Sequence, residues 1–185
     1  MIDKRKRNIL MNMYFLLTGV VVLIIDQTTK YLVNLKITKG LFIEIIPKFL
    51  YFTNIKNTGA AFGMFQSYTK VLIIVSIVAI IFIIILKVTL NINFLIYNIS
   101  LGFILGGALG TLVDRYFVGE VTDFISFSFF RPLFNAADSF IFIGFILTMI
   151  FVLREYIKYG KPREVKNKRS QLKKFKKLKD KYETG

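Results

Sequence analysis

Residues 71–90 read VLIIVSIVAIIFIIILKVTL, a run in which Lys87 is the single charged residue. A helix of about 20 apolar residues is long enough to cross the roughly 30 Å hydrocarbon core of a membrane. Comparable apolar runs occupy residues 9–25, 94–113 and 139–153. The sequence therefore predicts an all-α membrane protein with four transmembrane helices.

The residue types that are absent narrow the possible chemistry. The 185-residue chain has no His, no Cys and no Trp, and its formal net charge is +15. Without His and Cys it cannot use Ser-His-Asp or Cys-His catalysis, structural zinc, iron–sulfur ligation or disulfides. Any reaction that the chain catalyses must use Asp, Glu, Lys, Tyr, Ser or Thr.

The distribution of Lys and Arg predicts how the chain lies in the membrane. Four basic residues precede the first apolar run and thirteen follow from Arg154 onward. The predicted outer loops, 26–70 and 114–137, hold eight, of which six are lysines of the first loop. Since cytoplasmic segments are enriched in Lys and Arg, we expect both termini in the cytoplasm. The first run is long for a signal peptide and no A-x-A-like site follows it, so we interpret it as an uncleaved helix.

We expect two parts, a four-helix transmembrane domain over residues 1–157 and a basic cytoplasmic tail over residues 158–185. The tail holds 12 basic and 3 acidic residues, and its periodic apolar residues favour a weakly amphipathic helix on an anionic inner leaflet. A disordered, solvated tail is the alternative. We expect no nucleic-acid partner, because the tail has no recognition motif.

The predicted orientation brings four aspartates to one membrane interface: Asp26, Asp114, Asp123 and Asp138. Ionisable groups at a membrane are costly and point to a function. Three of the four also have a structural interpretation. Asp138 can stabilise the N-terminus of the fourth helix, Asp114 can pair with the adjacent Arg115, and Asp26 can pair with Lys30 four residues on.

Asp123 is harder to explain by structure alone. It lies in VTDFISFSF, residues 121–129, where strand-like alternation puts it on one face with apolar side chains, so burial should raise the pKa of its carboxyl. If Asp138 lies nearby, the two carboxyls can share a proton. One then acts as general base on a water while the other polarises the carbonyl under attack. The spacing alone does not show that they meet.

Two further patterns favour structure. Gly102, Gly106 and Gly110 recur every four residues on the third predicted helix, which permits close helix packing. The first outer loop contains a strand-like segment, 41–53, followed by NTGAAFG at 57–63. The small residues there permit either the close approach of a substrate backbone or a plain turn into a short interfacial helix.

Five motifs, taken together, resemble the lipoprotein signal peptidases (signal peptidase II), a family of bacterial membrane aspartic proteases. The motifs are D-Q-x-x-K at 26–30, N-x-G-A-A-F at 57–62, G-G-A-x-G-x-x-x-D-R at 106–115, V-x-D-F at 121–124 and F-N-x-A-D at 134–138. The resemblance spans about residues 9–157 and does not include the basic tail. The family usually has Asn where this chain has Thr111, and the segment between Asp123 and Asp138, residues 124–137, is somewhat short for the family.

The resemblance implies a four-helix fold in the bacterial cytoplasmic membrane, with a small extracytoplasmic β-cradle and an interfacial helix. It implies cleavage of prolipoproteins just before a diacylglyceryl-cysteine at the outer face, by a monomer in contact with membrane lipids, without metal or cofactor. The residues that it implies are the catalytic Asp123 and Asp138, the substrate-binding Asn57, Gly59, Arg115 and Asn135, and the supporting Asp26, Lys30 and Asp114.

Three alternatives to an aspartic peptidase stay open. A Ser-Lys protease would use Ser126, Ser128 or Ser139 with a lysine that burial deprotonates. A small transporter or channel would bind cations through the interfacial aspartates. A membrane scaffold would use the same acids only as helix anchors.

Overall fold

The computed structural model describes residues 3–59 and 68–159. Its helices are α1 (Lys4–Lys36), α2 (Thr69–Leu90), α3 (Leu95–Phe117) and α4 (Ala136–Tyr159), and its strands are β1 (Phe42–Ile46), β2 (Leu50–Asn57), β3 (Val121–Phe127) and β4 (Phe130–Phe134). All four helices are long and apolar enough to cross a membrane, which confirms the predicted fold class. The interfacial helix and the basic tail that the sequence suggests lie outside the described residues, apart from the end of α4.

The chain separates into two units, residues 1–148 and 149–185, with the boundary inside α4. The second unit is described as far as Tyr159, where α4 ends. The four strands and the five sequence motifs all fall within the first unit.

Helix α1 is longer than its apolar run, since it begins at Lys4 and continues to Lys36. At its start the side chain of Asp3 accepts a hydrogen bond from the backbone nitrogen of Arg5 (3.4 Å), as helix N-caps do. The extra turns at its end carry Asp26 and Lys30 inside the helix, where both are buried. The site residues predicted for a loop therefore lie on a rigid helix.

Small residues hold α1 and α3 close together. A Cβ built on Gly102 would lie 2.7 Å from the backbone oxygen of Phe15, and one on Gly106 would overlap the backbone oxygen of Gly19. A Cβ on Gly110 would overlap the carboxylate of Asp26. The predicted close packing at these three glycines is confirmed, and it brings the polar end of α1 against α3.

The four strands form one antiparallel sheet in the order β1-β2-β3-β4. The sheet packs on the end of α1 through a small core of Val33, Ile37 and Phe124, against which Phe52 lies edge-on with its ring centroid 6.0 Å from that of Phe124. The pairing of β2 with β3 shifts register between Phe52 and Ile55 and resumes with Ile55 opposite Asp123. This core fixes β3, and with it Asp123, relative to the helices.

Candidate active site

Asp123 lies on β3 with 3% of its surface exposed. Its Oδ2 accepts a hydrogen bond from Asn57 Nδ2 (2.8 Å) and its Oδ1 accepts one from Asn135 Nδ2 (2.7 Å). Burial raises the pKa of the Asp123 carboxyl above its ordinary value, and the two amide hydrogen bonds oppose that rise without cancelling it. The pKa direction predicted from the strand alternation is therefore correct, and the two asparagines are its polar neighbours.

Asp138 forms a reciprocal cap with Asn135 at the start of α4. Its backbone nitrogen donates to Asn135 Oδ1 (3.0 Å), and its Oδ2 accepts a hydrogen bond from the backbone nitrogen of Asn135 (3.2 Å). This is the geometry of a capping box, with Asn135 as N-cap and Asp138 three residues later. The prediction that Asp138 stabilises the N-terminus of the fourth helix is therefore confirmed. Asp138 also lines a cavity.

The two aspartates lie on the same cavity, which has a volume of about 350 Å³. Asn135 connects them, because its amide group donates to Asp123 while its carbonyl oxygen and backbone cap Asp138. The residues that line the cavity are Asn57, Thr111, Arg115, Val121, Asp123, Pro132, Leu133, Phe134, Asn135, Asp138, Ile141, Phe142 and Phe145. The fold thus brings the carboxyls of Asp123 and Asp138 to one cavity, which the sequence spacing alone could not show.

Arg115 is the cation of this cavity. Its Nη2 donates to the backbone oxygen of Gly59 (3.3 Å), so it contacts the first outer loop just beyond the end of β2. The pairing of Asp114 with the adjacent Arg115, expected from the sequence, is wrong. Asp114 instead forms an ion pair with Lys30, because successive residues of a helix point in different directions.

Asp26, Lys30 and Asp114 form a buried charge network behind the cavity. Lys30 Nζ donates to Asp26 Oδ2 (2.7 Å) and to Asp114 Oδ2, so the predicted pair of Asp26 with Lys30 is present with a second carboxylate added. The free oxygen of Asp26, Oδ1, accepts a hydrogen bond from the backbone nitrogen of Ala137 (2.8 Å). Asp26 therefore holds the residue that precedes Asp138.

Two polar groups of this region were not singled out from the sequence. Gln27 donates through Nε2 to Asp114 Oδ1 (2.9 Å), which adds a fourth member to the charge network. Lys56 Nζ donates to Asn34 Oδ1 (2.8 Å) and to Thr122 Oγ1 (2.7 Å), and so fastens β2 and β3 to the end of α1. Gln27 lies inside the D-Q-x-x-K motif, but no pattern marks Lys56, since its partners are distant in sequence.

Thr111 does not present its hydroxyl as a replacement for the amide usual in the family. Its Oγ1 donates to the backbone oxygen of Ala108 (3.1 Å), one turn back on α3. Since that hydrogen bond satisfies the hydroxyl donor within the helix, the side chain adds little polarity to the cavity wall.

The Ser-Lys alternative has no matching geometry. Ser128 donates to the backbone oxygen of Lys48 (2.6 Å) and Ser139 to that of Asn135 (3.0 Å). Both hydroxyl donors are thus directed to backbone oxygens and not to a lysine side chain. Within residues 3–59 and 68–159, no group of acidic side chains is placed to hold a metal ion. The carboxyl pair is the remaining catalytic candidate in the described cavity.

Fold and cavity together define a class of multi-pass membrane protein that holds a pair of carboxyls beside a small sheet. The chain belongs to the signal peptidase II family, since the family model described as signal peptidase (SPase) II matches residues 18–154.

Similar proteins agree with this assignment. A lipoprotein signal peptidase of Caldanaerobacter subterraneus subsp. tengcongensis is 44% identical over 126 residues, which cover 68% of this chain and 86% of that protein. One of Anoxybacillus flavithermus is 40% identical over 146 residues, which cover 77% and 86%. A bacterial membrane enzyme solved by the in meso method at 2.3 Å resolution matches with a TM-score of 0.72 and 34% identity, over 80% of this chain and 91% of that one.

The family fixes the general activity. The chain is a membrane protease that removes signal peptides from prolipoproteins, and the transporter or channel alternative has no support from these similarities.

Proposed function

We propose that the chain is an aspartic endopeptidase whose catalytic pair is Asp123 and Asp138. The observation that carries the proposal is that both carboxyls line one cavity and are held by the same residue, Asn135. The membership of a peptidase family supports proteolysis as the reaction. A composition without His and Cys leaves carboxyls as the residues best suited to general acid–base chemistry.

The reaction needs one ionised and one protonated carboxyl. The ionised carboxylate takes a proton from a water, whose oxygen adds to the scissile carbonyl carbon, while the protonated carboxyl donates a hydrogen bond to the carbonyl oxygen. A proton then passes to the amide nitrogen and the C–N bond breaks. The products are a signal peptide with a new carboxyl and a mature chain with a new amine. Two carboxyls that share a cavity titrate as a pair, so they favour this half-protonated state over a range of pH.

The other predicted cavity residues bind and orient the substrate in this proposal. Asn57 and Asn135 hold Asp123 by both oxygens, which leaves Asp123 in a single orientation. Arg115 donates one guanidinium hydrogen bond to the backbone oxygen of Gly59, and its Nε is buried without a hydrogen-bond partner among the described residues. Because a guanidinium has five donors, it has hydrogen bonds left for peptide carbonyls of the substrate.

The cavity wall formed by α4 fits a lipid-modified cysteine. Phe142 and Phe145 line the cavity, yet 67% and 55% of their surfaces are exposed on a helix long and apolar enough to span a membrane. Such a wall is open on the side where lipid lies. We propose that the diacylglyceryl chains of the substrate lie against these rings, and that the peptide is cut just before the modified cysteine.

The proposal includes the placement of the chain in the membrane. Both termini are cytoplasmic and the cavity faces the outer leaflet, which the concentration of Lys and Arg at the two ends of the chain supports.

A gel-shift cleavage assay on a diacylglyceryl-modified prolipoprotein tests the proposed function. We expect Asp123→Asn and Asp138→Asn each to lower turnover by about 100-fold or more, since general acid–base groups contribute on the order of 10²–10⁴-fold. Asp3→Asn, at the exposed start of α1, is the matched control and should retain full turnover. Full activity of either cavity variant would refute the assignment, and equal cleavage of a non-lipidated substrate would refute the role of the acyl chains.

A further inference from the structure

Two turns of the sheet meet in an apolar cluster whose residues do not line the cavity of Asp123 and Asp138. The β1–β2 turn contributes Ile46 and Phe49, and the β3–β4 turn contributes Phe127 and Phe129. We call these four residues the sheet tip. The ring centroid of Phe49 lies 5.7 Å from that of Phe127 and 5.6 Å from that of Phe129, so aromatic rings from the two turns pack against each other.

Hydrogen bonds between the turns hold the sheet tip in place. The backbone nitrogen of Ser128 donates to the backbone oxygen of Phe49 (3.0 Å), and the Ser128 hydroxyl donates to the backbone oxygen of Lys48 (2.6 Å). The backbone nitrogen of Lys48 in turn donates to Glu44 Oε1 (2.7 Å). The apolar side chains are therefore presented by a braced backbone.

The sheet tip is exposed although it is apolar. Phe129 is 71% exposed, Ile46 is 46% exposed and Phe49 is 44% exposed. Large adjoining apolar side chains on a surface mark a place where another apolar phase or partner covers them. Burial of such side chains is favourable by roughly 25 cal/mol per Å², so contact with water is the costly state.

The exposed apolar surface extends from the sheet tip along the edge strand β1, whose last residue is Ile46. Phe42, Ile43 and Ile45 of this strand are exposed as well. The four helices of the same chain are long and apolar enough to span a membrane. Lipid is therefore the apolar phase that is available to cover the tip.

The charges beside the sheet tip favour an anionic membrane surface. Lys48 lies in the first turn and Arg131 follows the second, and both are exposed. Basic side chains next to apolar and aromatic residues suit the membrane interface, where the apolar part enters the acyl boundary and the charge meets lipid phosphate. The same surface gives a use to Lys48, a basic residue of the first outer loop that the positive-inside rule alone does not explain.

We propose that the sheet tip inserts into the headgroup–acyl boundary of the membrane that α1–α4 span, with Lys48 and Arg131 on anionic phospholipid. The sheet is then fixed at two places, by the core on α1 and by the tip in lipid. Since β3 connects these two places, the insertion sets the height of Asp123 above the acyl region. The proposal goes beyond the catalytic assignment and does not depend on it.

Tryptophan fluorescence tests the proposal, because the natural chain contains no Trp. The full-length Phe129→Trp protein is reconstituted in vesicles of phosphatidylcholine and phosphatidylglycerol, with and without lipids brominated on the acyl chains. Phe82→Trp, on the exposed face of α2, is the reference for contact with acyl chains. N-acetyltryptophanamide in buffer is the reference for contact with water.

We expect a blue-shifted emission for Phe129→Trp, strong quenching by bromines placed near the headgroup, and weak quenching by iodide. Adding Lys48→Gln and Arg131→Gln should reduce the quenching by bromines in anionic vesicles more than in pure phosphatidylcholine. Emission like that of N-acetyltryptophanamide, with no quenching by bromines, would overturn the proposal. So would a blue shift that appears only at a high protein-to-lipid ratio, which would show contact between two copies, or only after substrate is added.

Discussion

At the scale of single residues, Asn135 performs three separate tasks. Its side chain donates to Asp123, its Oδ1 caps α4 at Asp138, and its backbone nitrogen donates to the Asp138 carboxyl. The spacing of the F-N-x-A-D motif therefore has a structural reason. Asn135 can orient the Asp138 carboxyl as well as that of Asp123 because it is the N-cap of α4, the helix that carries Asp138.

Substitutions of Asn135 should separate these tasks. Asn135→Ser keeps a capping oxygen but removes the amide donor to Asp123, whereas Asn135→Ala removes both. We expect Asn135→Ala to lower the unfolding free energy by about 1 kcal/mol, the usual cost of a lost N-cap, and Asn135→Ser to recover most of it. Both should lower kcat, as measured by the cleavage assay beside thermal unfolding in detergent. Normal kcat in the Ser variant would contradict the role of the amide.

The raised pKa of Asp123 predicts how stability depends on pH. Burial raises the pKa of Asp123 in the folded chain above that of the unfolded chain, so its contribution to stability is greatest at low pH and is lost as pH rises through the folded pKa. Relative to wild type, Asp123→Asn should therefore gain thermal stability as pH rises from about 4 to about 7. The unfolding midpoint in detergent, compared at each pH, measures this gain. A difference that stays constant with pH, or that shrinks, would contradict the raised pKa of the Asp123 carboxyl.

At the scale of elements, the contact of α1 with α3 positions the polar network. Gly106 has no room for a side chain, since a Cβ there would overlap the backbone oxygen of Gly19. Gly19 on the facing helix has ordinary van der Waals space, with Leu105 Cδ2 at 3.4 Å from its built Cβ. The interface therefore has room for a methyl group at Gly19 and none at Gly106.

Alanine at these two positions tests that difference. Gly106→Ala should force the helices apart, which lowers both the unfolding free energy and the turnover because α1 carries Asp26 and Lys30. Gly19→Ala should be neutral or stabilising, since Ala is favoured over Gly in a helix by roughly 1 kcal/mol. Unfolding in a graded mixture of mild detergent and sodium dodecyl sulfate provides the measurement. Equal stability of the two variants would count against close packing as the basis of this interface.

The elements also show how far the sequence predicts the structure. The four apolar runs predict all four helices, because length and hydropathy suffice for that. Length and hydropathy could not predict where α1 ends. Asp26 and Lys30 are compatible with a buried helix only because Asp114 of α3 completes their charge network. Likewise, the partner of Asp114 is set by helix packing and not by its neighbour in sequence. The meeting of Asp123 with Asp138 depends on the core that holds β3 on α1, which no local pattern records.

At the scale of the whole molecule, the described site lies where α1, α3, α4 and the sheet meet. The proposed orientation puts this meeting point at the outer leaflet and both termini inside. Because the chain contains no Cys, single cysteines can report on each side. We expect Lys39→Cys, in the turn before β1, to react with an impermeant maleimide in intact cells, and Asp3→Cys to react only after the cells are opened. The reverse pattern would invert the topology and place the cavity at the inner leaflet.

The central claim is that Asp123 and Asp138 act as one catalytic pair, and comparison of single and double variants in the cleavage assay tests it most directly. Groups that act as a unit are strongly non-additive, so loss of the second should cost little once the first is gone. We predict that Asp123→Asn, Asp138→Asn and the double variant lower kcat to about the same residual value. The claim would be contradicted if the two losses multiplied in the double variant, or if either single variant kept the turnover of wild type.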